Sequence, residues 1–360
     1  MARLELKRLK VELLCRGVKL DETAIGFFKR SMGFPFSING SLVNAPFYYE
    51  GFKRNRHPYV KDSPFVLSRR NGVWHLYQED IPLVDVEVSP SPAFYRQRTS
   101  DGIEMRRIAP LCGDDCLLTG VVQVCDFWKR GAGCKFCDIP LNTYYEKRLA
   151  RKTPLQLLEV VEAGVREGRI RRVLLSMGAH ENGDRGVTAI LDADMAVKEA
   201  FELAIQVELL PPNTRDIWRL AEYADSFNTN IEVFDPAMRA RLMPGKGDIK
   251  LEEYYRVLED AVDAFGENQV QSVVIVGLEG GKTLLEGSER LASIGVFPSL
   301  TPFRPTAKTD MEEASPPDPT WVEKLYLSVG EMINTYGLKP EKNLGCERCG
   351  GCGALREYAV

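Results

Sequence analysis

Histidine is scarce in this chain: His57, His75 and His180 are the three among 360 residues. None lies close in sequence to the cysteine groups, so no Cys–His zinc spacing is present. No window of about 18 apolar residues occurs, which leaves no candidate for a membrane-spanning helix. The opening stretch MARLELKRLKVELLCRG is charged throughout and lacks the apolar region of a secretory signal. A cytoplasmic protein without a membrane partner is the expectation. Excess positive charge is missing too: 47 Lys and Arg stand against 51 Asp and Glu, a net charge of -4. That balance provides no general field for nucleic acid, and the basic runs Lys53 to Arg56 and Arg169 to Arg172 read as solvated surface. Internal repeats and low-complexity tracts are absent.

What the chain does contain is cysteine in short windows. The nine are Cys15, Cys112, Cys116, Cys125, Cys134, Cys137, Cys346, Cys349 and Cys352. An odd number, grouped and without a signal segment, argues for metal or redox chemistry rather than a disulfide framework. Hydrophobic and charged fractions of 44% and 27% describe an ordinary globular protein, long enough to bury a large core.

Pattern divides the chain into three parts. Residues 1–110 read as an N-terminal α+β extension, with a hairpin in FVLSRRNGVWHLYQ turning at Asn71-Gly72 and a connector at VSPSPAF. Residues 111–310 alternate strand and helix. The strands are LLTGVVQVC, RRVLLSM, AIQVELL, TNIEVF, VQSVVIVG and FPSLTPF; the first helix starts at Thr153-Pro154 and stops near Gly168. Six strands joined by helices predict a parallel sheet with right-handed crossovers, an α/β partial (β/α)6 TIM-type barrel. Residues 311–360 form a C-terminal helix and a cysteine-rich segment. In such a barrel, chemistry belongs at the C-terminal ends of the strands, and VCDFWKRGAGCKFCDIP directly follows the first one.

Cys125, Cys134 and Cys137 are separated by eight and two residues. A structural zinc would require a fourth ligand, which Cys112 or Cys116 could supply. A four-iron four-sulfur (4Fe-4S) cluster held by three thiolates keeps one iron open for chemistry, with Phe136 and Trp128 as shields from water. CKFC, an aromatic residue before the last cysteine, resembles the radical S-adenosylmethionine (SAM) superfamily, whose usual first gap is three residues rather than eight. The barrel beyond it resembles biotin synthase and lipoyl synthase.

That resemblance implies a radical cluster at Cys125, Cys134 and Cys137, and a SAM site. Ser176, Met177 and Gly178 in LLSMGAHE occupy the place of the glycine-containing motif that binds the methionine amino group, with His180 and Glu181 as substitutes for its altered acid or as a plain loop. Glu208 is a further partner for that amino group. Asn230 and Glu232 in NTNIEVFDPAMRARLMPGK are matched to the ribose, and strand alternation predicts Asn228, Asn230 and Glu232 on one face. Gly277 is matched to backbone approach by adenine. Arg304 faces an anion or is a loop residue, and Lys246 reads as a surface turn. The resemblance also implies reductive cleavage of SAM to methionine and a 5′-deoxyadenosyl radical that abstracts hydrogen from carbon.

Cys346, Cys349 and Cys352 in GCERCGGCG are read as ligands of a second, auxiliary cluster, the alternative being a zinc knuckle. Its fourth ligand is left open among Cys15, Cys112, Cys116 and a non-cysteine group. Two clusters on such a barrel imply sulfur insertion, as in one component of a two-protein lipoyl synthase. The implied partners are an octanoylated carrier protein or domain, a second radical SAM protein, and a reduced ferredoxin or flavodoxin-type donor. A peptide- or small-molecule-modifying radical enzyme and a non-enzymatic iron–sulfur or zinc protein are the alternatives.

Overall fold

A computed structural model describes residues 3–24, 33–145, 147–181 and 183–359. The chain opens with α1 (Arg3–Arg16) and β1 (Val18–Leu20), followed by the antiparallel pair β2 (Phe34–Ile38) and β3 (Ser41–Ala45). Then come β4 (Phe47–Tyr48), β5 (Phe65–Arg70), β6 (Val73–Gln78) and β7 (Ile81–Val86). These build a five-stranded sheet in the order β4-β1-β5-β6-β7. The β5–β6 turn lies where the sequence places it. Asn71 and Gly72 both have positive φ, 52° and 88°, as a type I′ turn demands.

A second sheet starts with the hairpin of β8 (Leu111–Cys112) and β9 (Cys116–Val122), whose short antiparallel arm the sequence did not signal. The chain continues through α2 (Asp126–Lys129), α3 (Ile139–Tyr145), α4 (Pro154–Arg166) and β10 (Arg172–Met177). Next are α5 (Val187–Ala200), β11 (Ala204–Glu208), α6 (Thr214–Ala221), β12 (Ser226–Asn228) and α7 (Pro236–Leu242). Then follow α8 (Leu251–Phe265), β13 (Val270–Val276), α9 (Gly281–Ser293), β14 (Phe297–Pro302) and α10 (Pro319–Thr335), and the tail ends in α11 (Cys346–Cys349) and α12 (Leu355–Tyr358). Strands β9 to β14 are parallel neighbours in sequence order, with β8 on the edge. This is the expected α/β half-barrel of six parallel strands. At α4, Thr153 and Gln156 form a reciprocal capping box, Pro154 takes the first helical position, and Gly168 at φ 72° follows the end.

Alternation along each strand separates two environments. Val173, Leu175, Ile205, Val207 and Phe227 are essentially inaccessible and face the helices, with Phe227 packed 5.5 Å from the Phe265 ring of α8. Their neighbours Arg172, Leu174, Ser176, Gln206, Glu208, Ser226, Asn228 and Gln271 line the concave side.

The fourth strand departs from expectation. β12 ends at Asn228, and the chain rejoins the sheet only at a single bridge between Glu232 and Val274. Glu232 sits at φ 68°, a left-handed conformation that breaks strand alternation and is strained for a side chain of this kind. Side chains replace the missing ladder: Asn230 Oδ1 accepts from the Val273 amide at 3.0 Å, and Ser272 Oγ accepts from the Ile231 amide at 3.0 Å.

One buried carboxylate lies outside any site. Asp194 of α5 is 0% exposed, neither carboxylate oxygen has a hydrogen-bond partner, and burial raises its pKa from 3.8 to about 7. The folded state thus holds a proton that the unfolded chain releases near pH 4, so stability falls as pH rises from about 4 to about 7 and stays lower above. Asp194→Asn is expected to flatten that slope and to stabilise the protein at pH 8 by on the order of 3 kcal/mol, measured by denaturant titration at pH 5 and pH 8.

Candidate active site and a second cysteine centre

The first cysteine group occupies the C-terminal end of the half-barrel. After β9, Cys125 caps the one-turn helix α2, and the chain loops through Gly133 to Cys134 and Cys137. Aromatic rings shape this loop. The Phe127 ring fills the space beside Gly245, and the Trp128 ring lies where a side chain at Gly133 would be. Phe136 joins Cys134 in a separate apolar cluster with Val233, Leu242, Met243, Leu278 and Phe303. Shielding from water thus includes the buried Phe127 as well as Phe136 and the half-buried Trp128.

Gly178 is fixed by a close approach. A β-carbon there would stand 2.3 Å from the Val124 carbonyl oxygen and 3.0 Å from the Cys125 amide nitrogen. Ser176 faces the concave side, whereas the Met177 side chain turns outward onto Gly186. His180 and Glu181 brace the cysteine loop: the Glu181 amide donates to Asp126 and its carboxylate pairs with Arg130 at 3.0 Å. Gly277, at φ 107°, has the Pro317 ring 3.1 Å from where its β-carbon would lie, a packing reason for glycine there.

Glu208 and Asn228 are cross-strand partners, and the Asn228 amide donates to the Glu208 carboxylate at 2.6 Å. Asn230 also hydrogen-bonds Glu208, while burial, the largest influence, raises the Glu208 pKa. Glu232 is paired with Lys246 at 2.9 Å, both side chains largely buried. Lys246 is therefore not a surface turn. Burial opposes its charge, but Glu232, Tyr254 and Cys134 together hold its pKa above the ordinary range. The sequence signal for this partner was RLMPGK itself, since Phe127 packs on Gly245 and the next residue is carried inward.

The second group lies at the opposite, N-terminal end of the same strands. Cys116 begins β9 and is the register partner of Arg172, which begins β10. Arg172 donates to the Asp115 carboxylate and, at 3.0 Å, to the Gly345 carbonyl of the tail. The Cys346 amide donates to Gln206 Oε1 at 3.2 Å, and Gly345 is pressed against Gln206 and Ser226. Electrostatic interactions link Cys112 to Cys116, Cys346 and Cys352, Cys346 to Cys116, Cys349 and Cys352, and Cys349 to Cys116 and Cys352. Cys15, buried in α1, is raised to about 12 by burial and does not appear among the groups acting on these five.

Between the two groups lies the inner face of the sheet, where Leu118, Leu174, Val273 and Ile275 are apolar. On β11 to β13, Gln206 Nε2 and Ser226 Oγ, both beside Gly345 of the tail, and Asn228 Oδ1 and Gln271 Oε1 are buried without a protein hydrogen-bond partner. Such orphaned atoms mark a space meant for water or a polar ligand. Cys346 is exposed.

The N-terminal extension, for which the sequence offered no motif, touches both centres. Arg56 pairs with Asp138, next to Cys137, and its carbonyl accepts from the Ala307 amide at 2.8 Å. At the other end the Asn44 amide donates to the Gly351 carbonyl at 2.7 Å, Asn44 Nδ2 donates to Cys352 Sγ at 3.4 Å, and Lys10 pairs with Glu357 at 2.6 Å. Arg304 keeps Nε and Nη2 buried without a partner and acts favourably on the Cys352 thiolate.

Cys125, Cys134 and Cys137 offer the three thiols that a four-iron four-sulfur cluster with one open iron would use. Among the described residues, no three His, Cys, Asp or Glu side chains are gathered for a single metal ion. Burial pushes Cys116 and Cys137 to about 12 and Cys349 to about 11, and Cys134 and Cys346 are also raised. Thiols held protonated together ionise only against a strong positive charge, which bound metal supplies.

Residues 131–281 match the Radical SAM superfamily. The chain carries a radical SAM superfamily domain. The match begins after Cys125, where the lengthened first gap sets this loop apart. The matched segment implies a four-iron four-sulfur cluster and SAM, the cofactors of that superfamily. Among curated proteins the chain is similar to a bacteriochlorophyllide c C-7(1)-hydroxylase of Chlorobaculum limnaeum, 25% identical over 234 residues, 59% of this chain and 58% of that protein. Among solved structures it is similar to a radical SAM methyltransferase from Sphaerobacter thermophilus, at TM-score 0.47, 15% identity and 82% coverage of each chain. A FeFe-hydrogenase maturase from Carboxydothermus hydrogenoformans aligns at TM-score 0.45 and 17% identity, over 62% of this chain and 51% of that one. The chain thus spans little more than half the length of the hydroxylase and of the maturase. No described helix is long and apolar enough to cross a membrane.

Gly178→Ala tests the close approach that shapes the radical loop. It is expected to lower reconstituted iron by about one cluster per chain while leaving the far-UV circular dichroism unchanged, because Val124 and Cys125 are displaced together.

Proposed function

We propose that this radical SAM enzyme inserts sulfur into an unactivated C–H bond of a substrate held in the lumen, using a second iron–sulfur centre at the tail cysteines. The observation that carries the reading is the placement of two cysteine sets at opposite ends of the same parallel strands. A group lying between them meets the SAM site from one side and the second centre from the other. Cys125, Cys134 and Cys137 would hold a cluster able to supply the electron for reductive cleavage of SAM, and the tail cysteines one able to supply sulfide and take up the electron left as C–H becomes C–S.

The chain's own residues do the binding and positioning. Cys125, Cys134 and Cys137 hold the radical cluster, with Phe127 and Phe136 excluding water. Glu208, steadied by Asn228 and Asn230, receives the methionine ammonium, and Ser176 with the backbone at Met177 and Gly178 lies beside it. Glu232 and Asn230 receive the ribose hydroxyls. Lys246 fixes the Glu232 carboxylate in its strained position, and Gly277 keeps the backbone beyond β13 free of a side chain. A protein-bound octanoyl group is the acceptor to test first, since Leu118, Leu174, Val273 and Ile275 offer it an apolar wall. A second radical SAM protein and a reduced ferredoxin or flavodoxin complete the proposed system.

A second reading, hydroxylation of a carbon, is favoured by the similarity to the Chlorobaculum protein. It shares hydrogen abstraction and differs in product. Anaerobic enzyme with dithionite, SAM and an octanoylated carrier domain, with and without a candidate partner, is expected to form 5′-deoxyadenosine and a carrier heavier by sulfur. Gain of oxygen, or 5′-deoxyadenosine without a thiolated carrier, would count against sulfur insertion. Lys246→Met is expected to raise the SAM KM about tenfold or more, because an unpaired buried Glu232 costs several kcal/mol.

A further inference from the structure

A cavity of about 590 Å³ opens beside the tail, with Cys349 in its lining. Helix α1, the β2–β3 hairpin, the β8–β9 turn, the start of β10 and the short helices α11 and α12 enclose it. That volume suits a small-molecule ligand. The radical chemistry makes no use of it.

Its charges are unevenly matched. Three carboxylates line the cavity, and each is already engaged. Glu357 pairs with the buried Lys10 at 2.6 Å and accepts from Ser41 at 2.6 Å, Asp115 accepts from Arg172 Nε at 3.2 Å, and Asp114 accepts from Ser89 at 2.6 Å. Five cations share the lining, so Lys7, Arg348 and Arg356 are left over. Lys7 Nζ lies over the Tyr358 ring, 5.2 Å from its centroid, and Arg356 Nη1 donates to the Arg348 carbonyl at 2.6 Å. Among the described residues none of the three pairs with a carboxylate.

These three cations come from separate elements that the fold brings together, Lys7 from α1, Arg348 from α11 and Arg356 from α12. Gly350, at φ 60°, ends α11, and a β-carbon there would lie 3.6 Å from Arg356 Cβ, so the Arg356 stem is folded back against that turn. The β2–β3 hairpin, which turns at Asn39-Gly40 with φ of 49° and 79°, forms the facing lip. Ile38, Leu42 and Val43 of the hairpin, with Leu6 of α1, add an apolar lining. Like charges around one hollow repel, and a bound anion reverses that repulsion. Guanidinium forks match the paired oxygens of phosphate and carboxylate, and the apolar lip suits a hydrocarbon body beyond the head group.

We propose that this cavity binds a small amphiphilic dianion, a phosphate monoester or a dicarboxylate with a short apolar body, through Lys7, Arg348 and Arg356. Isothermal titration calorimetry on anaerobically reconstituted full-length protein tests this, with phenyl phosphate and phthalate as the two head groups and benzamide as the neutral control. One saturable site for at least one anion and none for benzamide is the expected result, and the tighter anion names the head group. Lys7→Ser and Arg348→Ser are each expected to weaken that binding by about tenfold or more, and Arg348→Lys, which keeps the charge, by less. Lys282→Ser, which removes an exposed cation of α9, is expected to change nothing. Circular dichroism and iron content serve as folding controls for every variant. Absence of saturable binding by both anions, unchanged affinity in Lys7→Ser and Arg348→Ser, or equal weakening in Lys282→Ser would each overturn the proposal. Because binding is read without turnover, its failure leaves the sulfur-insertion reading standing.

Discussion

Six strands that all run the same way give the half-barrel two unlike ends, and the rest of the molecule depends on that polarity. Residues leaving β9 arrive at one end, where Cys125, Cys134 and Cys137 gather. Residues entering β9 and β10 mark the other, where Cys116 and Arg172 meet the tail. An antiparallel sheet of the same strands would mix the two sets of loops. Parallel pairing keeps the soft ligands about a strand's length apart, with a shared interior between them.

That interior is unusual for a packed barrel, whose inward layers are commonly branched apolar side chains. Here Leu118, Leu174, Val273 and Ile275 share the inner face with buried polar atoms on β11, β12 and β13 that have no protein partner. Leaving such atoms unpaired costs free energy, on the order of 1–3 kcal/mol each, and natural proteins retain such groups where water or a ligand satisfies them. The same logic covers the strained backbone at Glu232 and its buried pairing with Lys246. Thiols pushed upward by burial complete the picture, because a bound cluster removes the reason for their protonation.

Much of the barrel was legible from sequence because its helices are capped and periodic. Thr153-Pro154 marked a helix start that the capping box realises, and Asn71-Gly72 marked a turn that has the required positive φ at both residues. The fourth strand misled because its alternation of Asn228, Asn230 and Glu232 suits a strand, while tertiary hydrogen bonds to Ser272 and Val273 pull the chain out of one. Lys246 was missed since a lysine in a Pro-Gly turn is ordinarily solvated, and nothing local announces Glu232 as its partner. The N-terminal extension was silent for a related reason. Arg56, Asn44 and Lys10 gain meaning only from residues far along the chain, and those pairings have no local period.

The central proposal is that two clusters bind at opposite ends of the half-barrel. The most direct measurement is the distance between them, read by pulsed electron paramagnetic resonance on the doubly reduced protein. Six residue steps along β9 at about 3.3 Å each predict a separation of about 20–25 Å. A single paramagnetic centre, or two within about 12 Å, would contradict the account.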